Sequence, residues 1–119
     1  MNNLTTQIEL EELARRIAAE RNIDPALFSS LIEAESGWNP LAESSKGAQG
    51  ITQMMPLIQK AYGVDDPFDP EQNMRGSAAF LEHLSNKYNN DPVKILGAYH
   101  SGEPAIDKYD GLPPADGNP

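Results

Sequence analysis

The sequence contains no cysteine. That excludes a disulfide framework and any thiolate metal site. No apolar run approaches the roughly 20 residues needed to cross a bilayer as a helix. The first twenty residues alternate apolar and charged positions and lack the apolar core of an export signal. Basic residues are scarce, with nine Lys and Arg against eighteen Asp and Glu and a formal net charge of −9. No basic stripe is present, which argues against a nucleic-acid partner. The two histidines, His83 and His100, are not at ligand spacing, so no metal and no other cofactor is expected. Strand signals are nearly absent, because no β-branched stretch alternates over more than three or four residues.

What is present suits one all-α globular domain. The chain has 119 residues, of which 39% are hydrophobic, enough to bury a core without staples. Thr6 followed by Glu9 reads as a capping box ahead of a helix from Ile8 to about Arg21, with Leu10, Leu13, Ala14, Ile17 and Ala18 on one face. Three Asp-Pro pairs, Asp24-Pro25, Asp69-Pro70 and Asp91-Pro92, each precede a segment of helical period. There the Asp serves as N-cap and the Pro takes the first helical position. The helices expected behind them run over Ala26 to Ser36, Glu71 to Tyr88 and Val93 to about His100. Asp66-Pro67 has no such segment behind it and reads as a turn. Gly37 to Gly50 reads as a loop. The domain is placed at residues 1–110, and 111–119 is read as an extended Pro- and Gly-rich tail leading into a longer protein.

The second helix carries the chemical signal. With 100° per residue from Leu27, Leu31 falls at about 40°, Phe28 at about 100° and Ile32 at about 140°. Glu35 falls at about 80°, inside that apolar arc, while Glu33 falls at about 240° beside Ser29. Glu33 is therefore a surface residue, and Glu35 points toward a core or a cleft. Desolvation raises a carboxyl pKa, and the negative end of the helix near Gly37 adds to it. A carboxyl held protonated near neutral pH is what a general acid requires. The structural alternative is a buried acid satisfied by backbone donors or an arginine.

Ordered motifs follow Glu35. They are Glu35-Ser36, Trp38-Asn39-Pro40, Ser44-Ser45, Gly47-Ala48-Gln49-Gly50, Gln53 and Met55-Pro56. Asp69 to Leu84 then holds an Asp-Pro-x-x-Asn-hydrophobic-x-x-Gly pattern, Ala98 to Gly102 reads Ala-Tyr-His-Ser-Gly, and Leu112-Pro113-Pro114 closes the set. Together, over about Ala26 to Pro114, these resemble the soluble lytic transglycosylases, a family related to goose-type lysozymes. The resemblance implies a lysozyme-like helical domain with a substrate cleft. It implies non-hydrolytic cleavage of the MurNAc–GlcNAc β-1,4 bond of peptidoglycan, with the MurNAc C6 hydroxyl replacing water to give a 1,6-anhydro end. Glu35 would be acid and then base. Ser36 would hold Glu35 or the substrate, Gln53 and Met54 would line the cleft, and Tyr99 would approach the carboxyl or the sugar. Gly50, with Gly47, would let the backbone approach a sugar closely.

One carboxylate suffices for such chemistry, since the internal nucleophile is already positioned, whereas a hydrolase usually needs two. Glu43 is the one further acid in the loop after Glu35. An acidic domain gains no electrostatic steering toward an anionic wall polymer, so contacts to glycan strands should be hydrogen bonds and ring packing. Trp38, beside a helix end, suits a core plug better than a sugar platform, and Met54 and Met55 suit core filling. Asn73 fits a structural bond to a loop backbone. His100 and Ser101 depart from the family's usual Asn and Ala, and Glu103-Pro104 from its Pro-Gly. His100 is either a titrating substrate neighbour or a residue favoured at a helix C-terminus. The other functional readings are a true hydrolase of the same fold and a catalytically silent wall-binding virion module. With no export signal visible, a virion protein delivered to the wall, or a secretion-system enzyme, is expected, with partners among the other proteins of that assembly.

Overall fold

In the computed structural model residues 3–109 are described, with side chains from 6 to 108. The order is α1 (Asn3–Glu20), α2 (Pro25–Ser36), α3 (Pro56–Ala61), α4 (Pro70–Lys87), α5 (Pro92–Ser101) and α6 (Glu103–Tyr109). Among the described residues there is no strand, only isolated bridges pairing Glu43 with Gln49 and Gln49 with Met54. The expected tail at 111–119 and its Leu112-Pro113-Pro114 motif lie outside the described residues. No described helix is long and apolar enough to cross a membrane.

The Asp-Pro logic sets three helix starts. Asp24 accepts the Ala26 N–H at 2.9 Å, and Asp91 accepts from Val93 and Lys94. Ahead of α4, Asp69 accepts the Gln72 N–H with its carboxylate and the Asn73 N–H with its carbonyl. Asp66-Pro67 is a turn, with Asp66 accepting the Phe68 N–H at 3.0 Å. The Thr6 capping box is corrected: α1 is already helical at Asn3, so Thr6 lies inside it. Two helix stops are an asparagine and a glycine in the left-handed region. Asn22 (φ 58) ends α1 while the Ile23 N–H reaches the Ala18 carbonyl, and Gly37 (φ 60) ends α2 with its N–H on Glu33. Helices α3 and α6 have no counterpart in the sequence reading, because six and seven residues are too few for a periodic pattern to register.

The chain divides into two compact units, residues 1–80 and 81–119, with the boundary inside α4. The first unit is built on α1 against α2. Leu10, Ala14, Ile17 and Ala18 supply one buried stripe and Phe28, Leu31 and Ile32 the other, while Leu13 of the expected set is half-buried. Fully buried side chains such as Phe28 and Ile32 each contribute on the order of 2 kcal/mol relative to exposure.

In the second unit Leu81, Leu84, Ile95, Ala98 and Ile106 form the apolar part. Its surface is tied by Lys87, which donates to Glu103 at 3.0 Å and Asp107 at 2.9 Å. His83 meets Glu103 at 2.8 Å, and the Tyr88 hydroxyl donates to Asp107 at 2.9 Å. Hydrogen bonds from Lys87 and Tyr88 lower the Asp107 pKa. Partial burial pushes Glu103 up, but hydrogen bonds from His83 and Lys87 outweigh it and leave that pKa lowered. The hydrogen bonds to Asp107 and Glu103 raise Lys87.

The lowered carboxyls stabilise the fold above their ordinary values of 4.5 and 3.8, and this is lost as pH falls through the folded values. The raised Lys87 stabilises it below 10.5 and loses that contribution as pH rises through its folded value. Lys87→Met is therefore expected to lower the Tm by a few degrees between about pH 5 and about pH 10. The difference should shrink as both carboxyls protonate. Thermal scans across pH check this, and a difference equally large in strong acid would contradict it.

Candidate active site

The site grows from the C-terminal turn of α2. The residues of that helix that become buried are Phe28, Leu31 and Ile32, and Glu35 lies on the same arc by the helical rotation given above. Its side chain is half-buried, whereas Glu33 is exposed. The register read from sequence thus separates the two glutamates as the structure does.

Ser36 joins this turn to the loop that follows. Its hydroxyl donates to the Ile51 carbonyl at 2.6 Å and accepts the Asn39 N–H at 3.2 Å. The loop is folded on itself by backbone pairs. Gly50 N–H meets the Ala42 carbonyl at 2.8 Å, Ser44 N–H meets Ala48 at 2.9 Å, and Gln49 and Met54 exchange both bonds at 3.0 and 3.1 Å. Gln53 sits at φ 56, in the left-handed region. Its side-chain amide donates to the carbonyls of Ala42 and Gly50 at 3.1 and 3.0 Å, which holds that costly conformation in place.

Beneath the loop lies Asn73 of α4, fully buried. Its side-chain oxygen accepts the Thr52 N–H at 3.0 Å and also the Thr52 hydroxyl. Its NH₂ group donates to the carbonyls of Gln49 and Pro67 at 3.1 and 2.9 Å. Every donor and acceptor direction of that amide is used. Thr52 held by Asn73 and Ile51 held by Ser36 are neighbours in sequence, so the segment leading into Gln53 is fixed from both sides. Buried Gln59 of α3 extends the scheme, donating to the Met54 carbonyl at 2.8 Å and the Gln49 side chain at 3.0 Å. Gln49 in turn donates to the exposed Glu43 at 3.3 Å.

Two sequence expectations need correction. Met54 was expected to line a cleft, but it is 2% exposed and packs over Gly76. Met55, at 43%, is the methionine presented to solvent. The dipeptide gave no signal of which one turns inward, because the Gln49–Met54 pairing decides it. Gly50 is buried (φ 86), and a Cβ there would run into the Pro67 carbonyl and the Asn73 amide. Its glycine requirement therefore comes from the scaffold beneath it rather than from a sugar above. Trp38 is a plug, 7% exposed, at φ 68.

Within the first unit the structure brings Ser36, Gly50 and Gln53 into one bonded set with Thr52 and Asn73. Sequence reasoning did not assign Thr52 or Gln59 a part in that set. Tyr99 and His100 lie on α5 in the second unit, Tyr99 half-buried and His100 exposed in the last helical turn. Among the described residues no group of three or more His, Asp or Glu is placed to hold a metal ion.

The arrangement is a helix-terminal carboxyl beside a loop rigidified by neutral amides, on an all-α frame. The transglycosylase SLT domain model matches residues 12–116, and the chain belongs to that family. The transglycosylase of Enterobacteria phage PRD1 is 39% identical over 85 residues, covering 71% of this chain and 32% of that protein. The membrane-bound lytic murein transglycosylase F of Salmonella choleraesuis is 37% identical over 79 residues, covering 66% and 15%. This chain thus spans under a third of either relative. Among solved structures, the 70 kDa soluble lytic transglycosylase of Escherichia coli superposes with a TM-score of 0.73 at 23% identity, over 82% of this chain and 18% of that one. A complex of the 70 kDa soluble lytic transglycosylase with bulgecin A gives 0.75 at 23% identity and the same coverage. These superpositions establish the lysozyme-like helical fold.

Asn73→Ala is expected to destabilise the protein by on the order of 3 kcal/mol, since it strands the buried Thr52 donors and two part-buried carbonyls. Urea unfolding measures it, and a loss under about 1 kcal/mol would show that the amide is not the keystone described.

Proposed function

We propose that this domain is a peptidoglycan lytic transglycosylase with Glu35 as its single catalytic acid and base. The observation that carries the reading is the half-buried Glu35 carboxyl on the apolar arc of α2, at the carbonyl end of the helix. Membership of the SLT family and the likeness to lytic murein transglycosylases support it. The role calls for the neutral carboxyl. In that form Glu35 donates its proton to the departing glycosidic oxygen between MurNAc and GlcNAc. The resulting carboxylate then takes the proton of the MurNAc C6 hydroxyl as that oxygen closes on C1. The bond to the leaving sugar breaks, the 1,6-anhydro ring forms, and the carboxyl ends as it began.

No second carboxylate is required, because the nucleophile belongs to the substrate. Gln53 belongs to the wall of the cleft beside Glu35. Ser36 acts by holding Ile51, and so the loop, at the helix end. The domain works at the bacterial cell wall, and the likeness to a phage transglycosylase supports delivery with a virion.

Glu35→Gln keeps the side-chain shape and removes the titrating proton. Its expected effect on purified sacculi is a fall in activity of at least about a hundredfold, the low end for loss of a general acid, with Tm retained. Mass spectrometry of muropeptides from the unmodified protein should show ends lighter by one water than hydrolysis products. Ends bearing water would assign a hydrolase, and full activity in Glu35→Gln would remove the carboxyl from the mechanism.

A further inference from the structure

Two depressions open on the first unit, and Trp38 lines both of them. One, of about 420 Å³, runs along α2 past Ser29, Ser30, Glu33 and Ala34 and meets Glu11 of α1. The other, of about 330 Å³, lies between Thr6, Gln7 and Leu10 of α1 and the Trp38-Asn39-Pro40 corner. Both volumes fall in the range of ligand pockets, about 300–1,000 Å³. The α2 lining residues lie at about 200–340° on the helical scale used above, opposite Glu35 at about 80°.

We propose that this Trp38 groove is a second, non-cleaving binding site for the uncharged N-acetylated sugar rings of a glycan strand. Its lining is the inventory such a ligand needs. Hydroxyls (Thr6, Ser29, Ser30) and amides (Gln7, Asn39) match the hydroxyls and acetamido groups of the sugar. Glu11 and Glu33 accept sugar hydroxyl protons, while Leu10, Pro40 and the edge of Trp38 give an apolar wall to C–H faces and acetamido methyls. Among the described residues no lysine, arginine or histidine lines either depression, and the two carboxylates turn away the charged substituents of a strand, which leaves its sugar rings as the part held. The groove lets the domain hold one strand while its opposite face works on another. The inference rests on the reading of the chain as a glycan-cleaving domain only for the source of the strand.

Trp38 is the only tryptophan of the chain, so its fluorescence reports on the groove. Glu35→Gln protein is titrated with soluble N-acetylglucosamine oligomers, alone and with Ser30→Arg or Ala34→Arg added. Both positions are exposed on a helix, where arginine is well tolerated. The expected result is a saturable fluorescence change whose affinity is insensitive to salt, as a neutral ligand requires, and falls by roughly tenfold or more in the groove variants with Tm unchanged. With Glu35 intact, the groove variants should cleave soluble glycan within about twofold of the parent and lose roughly tenfold on whole sacculi. No fluorescence change, a salt-sensitive one, or one that survives both arginines overturns the groove without touching the role of Glu35. Cleavage by Glu35→Gln protein would overturn the mechanism and leave the groove standing.

Discussion

The side-chain amide of the fully buried Asn73 makes four hydrogen bonds, two to buried Thr52 and two to the part-buried carbonyls of Gln49 and Pro67. Two separate stretches of chain, the loop at Gln49 and Thr52 and the turn at Pro67, are bonded through that one planar group. An amide is the only neutral side-chain group that presents two donors and an acceptor with two lone pairs in one plane. The site depends on it, because Thr52 precedes Gln53 and follows Ile51, the partner of Ser36 at the end of α2. The geometry around Glu35 is therefore set from α4, nearly forty residues further along the chain.

Apart from the bond of Gln49 to the exposed Glu43, the loop beside Glu35 is held by side chains that do not titrate. Gln49, Gln53, Gln59 and Asn73 supply the side-chain bonds, and Ser36, Ser44 and Thr52 the hydroxyls. A carboxyl that gives up and regains a proton, as proposed for Glu35, changes the local field at each step. A scaffold of neutral amides keeps its hydrogen bonds through that change, where one of ion pairs would be remade. The charged networks lie elsewhere: Arg75 with Glu20 and Glu71 in the first unit, and Lys87 with Glu103 and Asp107 in the second. These are partly exposed pairs, of the kind that trims stability rather than sets geometry.

Much of this was legible in the residues themselves. Asp24, Asp69 and Asp91, each followed by proline, announced three helix starts because capping is a local event between a side chain and the next few N–H groups. The split of Glu33 from Glu35 followed from helical rotation alone. The opposite burial of Met54 and Met55, and the inward crowding at Gly50, were not legible. Each arises from residues distant in sequence: Gly76 under Met54, and Pro67 with Asn73 under Gly50. The capping box at Thr6 failed for the reverse reason, since a correct local pattern was overridden when the helix continued upstream.

By itself the sequence determined the helical class, the three Asp-Pro helix starts, the motif set and the face of α2 on which a carboxyl sits, because each depends on bonds spanning a few residues or on a fixed rotation per residue. Only the tertiary structure decided which polar side chains hold the loop, which methionine meets solvent, and that a groove flanks Trp38 on the far side of α2. Those depend on segments that meet only when the chain folds, where burial makes every polar group find a partner.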